Sequence, residues 1–146
     1  MATYLHTNLV AADWRRLARF YEDVFGCTPV LPERYYEGDW LGKGVGLPGA
    51  RLRGVHLRLP GWGEDGPTLE IFTYAEMLAG SPPAANQPGY GHIAFRVADV
   101  AAVREAVLAA GGEDLGEIVQ VDVPGRGALT FVYMADPEGN IIELQT

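Results

Sequence analysis

Two histidines and two glutamates are spaced along this 146-residue chain in a pattern that suits a metal ion. His6 and Glu70 occupy the first half, and His92 and Glu143 the second. Each histidine sits in a run where apolar and polar residues alternate, "TYLHTNLV" and "YGHIAFRV". Each glutamate is flanked by branched apolar residues, in "LEIFT" and "IELQT". Two imidazole nitrogens and two carboxylate oxygens suit a first-row divalent metal or zinc, with positions left for water or substrate. Without a cation, two carboxylates in a sheltered place would repel each other and lose hydration, at a cost on the order of several kcal/mol.

The elements that must position these groups come in duplicate. His6 is followed seven residues later by Asp13, and His92 seven residues later by Asp99. Gly26 lies 20 residues past His6, and Gly112 lies 20 past His92. Each block reads as a strand with a histidine, an aspartate that caps a helix, the helix itself, and a glycine at its end. Leu17, Phe20, Tyr21 and Val24 recur at helical spacing, as do Val100, Val103 and Val107. Strands are expected near 3–10, 28–36, 51–59 and 67–74, and again near 89–97, 115–122, 128–134 and 140–145. "DPEGN", residues 136–140, reads as the turn joining the last two. The fold class is therefore α+β: two βαβββ modules, about 1–78 and 89–146, in one domain spanning 1–146. The Pro- and Gly-rich segment 79–88 links them. His-to-Glu separations of 64 and 51 residues place an insertion in the first module, around "YYEGDWLGKGVGLPGARLRG".

Side chains alternate across a strand. Leu5, Leu9, Leu69, Ile71, Ile93, Phe95, Ile142 and Leu144 supply the apolar face that helices cover. His6, Glu70, His92 and Glu143 then share the opposite face, the concave side of one open, barrel-like eight-stranded sheet. His56 has no counterpart at the repeat spacing and reads as structural or rim-exposed.

Composition narrows the partners. A net charge of −8, with 11 basic residues scattered along the chain, sets nucleic-acid binding aside. No apolar run approaches ~18 residues, so no membrane span is expected. The N-terminal stretch lacks the features of a secretion signal, and Cys27 is alone, so a reducing cytoplasm is expected and Cys27 reads as a buried thiol.

"YGHIAF", "DPEGNIIEL" and "LHTNLVAADWRRLARFYEDVFG" resemble the vicinal oxygen chelate superfamily over essentially the whole chain. That family includes glyoxalase I, methylmalonyl-CoA epimerase, extradiol dioxygenases and the fosfomycin- and bleomycin-resistance proteins. The second half is most similar to glyoxalase I. The resemblance implies one divalent ion (Ni, Co, Zn, Mn or Fe) held by His6, Glu70, His92 and Glu143. It also implies a cleft between modules of one chain or of two, and a homodimer. Dioxygenases and fosfomycin transferases generally lack a carboxylate at the place of Glu70, so its presence here points toward the glyoxalases and, more loosely, the epimerases.

The chemistry so implied is that of a metal-dependent lyase or isomerase: proton transfer next to a carbonyl through a metal-stabilised enediolate, on a small substrate with vicinal oxygens. By the resemblance Glu143, displaced from the ion by substrate, is the base, and Glu70 the complementary acid/base. Asn8, Phe72 and Tyr74 continue the faces of His6 and Glu70 as substrate contacts. Arg96, on the face of His92, either pairs with a substrate carboxylate or reaches solvent. Trp40, in the Gly-rich insertion, belongs either to a lid over the reacting group or to a plain surface loop. The rival activities are an extradiol-type dioxygenase and a non-catalytic drug-binding resistance protein.

Overall fold

A computed structural model describes residues 1–146. The chain forms two compact units, Met1–Gly80 and Ser81–Thr146.

In the first unit β1 (His6–Val10) leads into α1 (Trp14–Phe25), then β2 (Thr28–Glu37), α2 (Asp39–Val45), β3 (Arg51–Arg58) and β4 (Thr68–Tyr74). The sheet order is β1-β4-β3-β2, with β1 parallel to β4 and the other pairs antiparallel. Asp13 caps α1 by accepting the Arg16 N–H at 3.1 Å, and Gly26 ends it at φ 71°. Leu17, Ala18, Phe20 and Tyr21 are buried on the α1 face that packs on β3 and β4. Beneath them Leu57, Leu69 and Ile71 are fully covered.

The second unit repeats the topology: β5 (Ile93–Arg96), α3 (Val100–Ala109), β6 (Glu113–Asp114), β7 (Val119–Val123), β8 (Gly127–Ala135) and β9 (Ile141–Gln145). β5 runs parallel to β9, which pairs antiparallel with β8, which in turn pairs with β7 and the short β6. Asp99 caps α3 through the Ala102 N–H at 3.0 Å. Val107, Val132, Met134, Ile142 and Leu144 form the core between α3 and the sheet. The α+β class is the one read from the sequence, and the βαβββ order recurs in both units with two departures: α2 is added after β2 in the first, and β6 and β7 share the place beside β8 in the second. Neither sheet closes on itself. No helix is long and apolar enough to cross a membrane.

Three local expectations are corrected. β5 begins at Ile93 rather than 89, so His92 lies just before the strand. The Gly-rich insertion is not an irregular loop: residues 39–45 form the helix α2, with Leu41 buried against Ala50, Leu52 and Phe72. Leu5 does not face the helix; it is 70 % exposed and lines the same cavity as His6 and Asn8. It lies one residue before β1, although its carbonyl still accepts the Thr68 N–H at 3.1 Å.

Candidate functional site

β4 presents Leu69 and Ile71 to the helix and Glu70 and Phe72 to the other face. Glu70 is only 8 % exposed, so its charge needs partners. Its neighbours across the sheet supply them. Asn8 stands opposite on β1 and His56 opposite on β3. Glu70 Oε1 lies 3.3 Å from His6 Nε2 and 3.3 Å from His56 Nε2. Glu70 Oε2 accepts from the Asn8 side-chain amide at 3.3 Å. Burial holds the His56 imidazole below its ordinary value, and the charges of Arg34 and His6 add to that, while the Glu70 carboxylate pulls it upward.

His56 reads from the sequence as structural or rim-exposed, and the structure places it directly on the candidate ligand Glu70. One further feature makes room there. A Cβ on Gly54 would stand 2.0 Å from Ile71 O and 2.5 Å from Phe72 Cδ1. Its absence lets the Phe72 ring lie across β3, where it meets the His56 ring edge-on at 5.8 Å.

In the second unit β9 turns Ile142 and Leu144 into the core and Glu143 to the opposite face. His92 Nε2 lies 3.0 Å from Glu143 Oε2. The register places Tyr133 of β8 opposite Glu143, where His56 stands in the first unit, and Ala94 of β5 where Asn8 stands. Tyr133 packs its ring 4.6 Å from that of His92. Burial first, then the Glu143 carboxylate, push the Tyr133 phenol above its ordinary value. The hairpin that sets this register closes on Asp136, 2 % exposed, whose Oδ1 accepts the backbone N–H of Glu138 at 2.9 Å and of Asn140 at 3.0 Å.

Each unit therefore brings one expected His–Glu pair together. Donors bound to one ion at about 2.0–2.2 Å stand roughly 3.0–3.5 Å from each other. The separations of 3.3 Å for His6–Glu70 and 3.0 Å for His92–Glu143 fit that spacing, and the donor types fit a divalent cation. No group of three or more His, Cys, Asp or Glu side chains is arranged by itself to hold a metal ion.

The other expected residues divide. Asn8, Phe72 and Tyr74 line a cavity of about 590 Å³ in the first unit, together with His6, His56 and Glu70. Trp40 also lines it, from α2, and is 62 % exposed with its ring edge-on to Tyr36 at 5.7 Å. Arg96 ends β5, exposed and paired in register with Gln145.

Comparison with known proteins agrees with this architecture. The model of the Glyoxalase/Bleomycin resistance protein/Dioxygenase superfamily matches residues 3–144, so the chain belongs to that superfamily. It is 32 % identical to a lactoylglutathione lyase of Haemophilus influenzae, over 95 % of this chain and 88 % of the other. It is 28 % identical to a probable lactoylglutathione lyase of Vibrio parahaemolyticus, over 96 % of this chain and 87 % of the other. Among solved structures, a glyoxalase family protein of Bacillus cereus shares the fold with a TM-score of 0.83 at 19 % identity, covering 99 % of this chain and 93 % of its own. A fosfomycin resistance protein of Listeria monocytogenes, solved with Mn(II) and sulfate, matches with a TM-score of 0.56 at 16 % identity, covering 100 % of this chain and 93 % of its own.

Proposed function

We propose that the protein is a metal-dependent lyase or isomerase of the glyoxalase type that moves a proton between carbons next to a carbonyl. The observation that carries this reading is the pair of His–Glu contacts at equivalent register in the two units. The kinship to lactoylglutathione lyases supports the reaction class.

His6, Glu70, His92 and Glu143 would hold the ion, whether both pairs come from one chain or from two copies. A divalent metal so held supplies Lewis-acid stabilisation of charge developing on the substrate's vicinal oxygens. The protein's own groups do the proton transfer. Glu143 takes the proton from carbon, because it is the less restrained of the two carboxylates. It has one imidazole contact, whereas Glu70 is held by two imidazoles and an amide. Glu70, fixed in place, holds His6 and the floor of the cavity in position. His56 orients Glu70, and the Phe72 ring beside it keeps water from that edge.

The test combines elemental analysis of the purified protein with solvent-deuterium uptake into α-hydroxyketone, hemithioacetal and acyl-CoA candidates. The reading expects a bound divalent metal and metal-dependent exchange at the carbon next to the carbonyl. Oxygen consumption with catechols and no deuterium uptake would replace it by ring-cleaving dioxygenase chemistry. A metal-free protein that exchanges nothing would leave a binding role.

A further inference from the structure

We infer that the cavity beside Glu70 takes the uncharged aryl or branched-alkyl end of an α-hydroxyketone, and does not take a glutathionyl group. The inference rests on the proton-transfer reading above and specifies its substrate. Its basis is the division of the cavity wall. At one end stand the polar groups His6, Asn8, His56 and Glu70. Apart from Thr68, the rest is aliphatic or aromatic, with Tyr36, Trp40, Phe72 and Tyr74 the principal walls. No Lys or Arg lines it.

Glutathione carries carboxylates at both its glycyl and γ-glutamyl ends. A carboxylate taken into an apolar wall without a cation loses its hydration uncompensated. An uncharged ring has the opposite balance. Phe72 is held by the close approach at Gly54 and by the cluster of Leu41, Ala50 and Leu52, so this wall is already in place before a ligand arrives. Trp40 adds a large exposed ring on a helix anchored through its neighbour Leu41. It can meet an aryl group edge-on or offset-stacked, as it already meets Tyr36. With the ring against these walls, the ketone and hydroxyl oxygens reach the polar end.

The probes are 2-hydroxyacetophenone, dihydroxyacetone, and the hemithioacetal of methylglyoxal with glutathione. Each is tested on the full chain with added divalent metal, both for binding by saturation-transfer NMR and for deuterium uptake from solvent. The expected result is binding of 2-hydroxyacetophenone with or without metal. Exchange is expected to favour it over dihydroxyacetone by at least about tenfold in kcat/KM. Trp40→Ala should collapse that preference, and Trp40→Phe should restore most of it.

Aryl-ketone binding that depends on Trp40, with no exchange on any probe, would uphold the cavity assignment and refute the proton-transfer reading. Turnover of the glutathione hemithioacetal, with no binding of the aryl ketone, would do the reverse. If neither binds nor reacts, both fall. A dimer weakened by Trp40→Ala, with no aryl ketone bound, would show that a second copy covers these rings and would also overturn the inference.

Discussion

In the first unit the carboxylate of Glu70 meets two imidazoles and an amide. In the second, the carboxylate of Glu143 occupies the same sheet position but meets one imidazole, with a phenol ring and an alanine where the other partners stood. The strand register around the two glutamates is equivalent, so the difference at these positions lies in the side chains set opposite each glutamate. A buried carboxylate with three polar neighbours is fixed. One with a single contact keeps freedom to leave it. The comparison teaches that one scaffold can supply a rigid acid and a movable one without altering the fold.

The strongest way to break this comparison is to remove each carboxylate in turn. Glu143→Gln should lower deuterium exchange by about 10²–10⁴-fold while retaining much of the bound metal. Glu70→Gln should instead lose metal content, measured by elemental analysis on the same samples. The reverse pattern would exchange the two roles.

Asp136→Ala attacks the hairpin that sets Tyr133 opposite Glu143. Removing a buried carboxylate that accepts several N–H groups should cost about 2–4 kcal/mol. Chemical denaturation would show it, and an unchanged midpoint would mean the turn does not depend on this residue.

In the first unit the corresponding lever is Gly54→Ala. The added methyl forces Ile71 O or Phe72 to move, at a cost of about 1–3 kcal/mol. Cys27, buried in that unit, gives a local readout. Burial, reinforced by Glu22, pushes its thiol from 9.0 up to about 11, so at pH 8 the folded protein should resist alkylation until the unit opens. Alkylation should be faster in Gly54→Ala. Because the folded thiol titrates higher than an unfolded one, its contribution to stability is whole below pH 9 and is lost as the pH climbs toward 11.

The smallest effect is expected from Asn8→Ala, which makes the first unit resemble the second at that position. Loss of one 3.3 Å amide contact to Glu70 should cost about 1 kcal/mol, a several-fold weakening of metal affinity in a competition titration. The mirror substitution, Ala94→Asn, should restrain Glu143 and slow exchange. Faster exchange would contradict the account of a movable base.

Much of this was legible in the chain. The spacing of histidine, aspartate and glycine repeats in both halves, and period-two patterning assigns Glu70 and Glu143 to the face away from the helices. Local chemistry decides those features: helix caps, helix ends and strand alternation are written in adjacent residues. The role of His56 was not legible. Fourteen residues separate it from Glu70, whereas ten separate Tyr133 from Glu143, and the two residues are of different types. No linear alignment of the halves brings them into correspondence.

The sequence by itself determined the duplicated modules, their helix caps, and the two His–Glu pairs, because each follows from short-range periodicity and repeat spacing. Only the tertiary structure decided what stands opposite each glutamate, and that α2 rather than a loose loop carries Trp40 beside the cavity. The physical reason is that strand register and the packing of an insertion depend on contacts between residues far apart in the chain, and side-chain burial across the sheet, not local propensity, selects them.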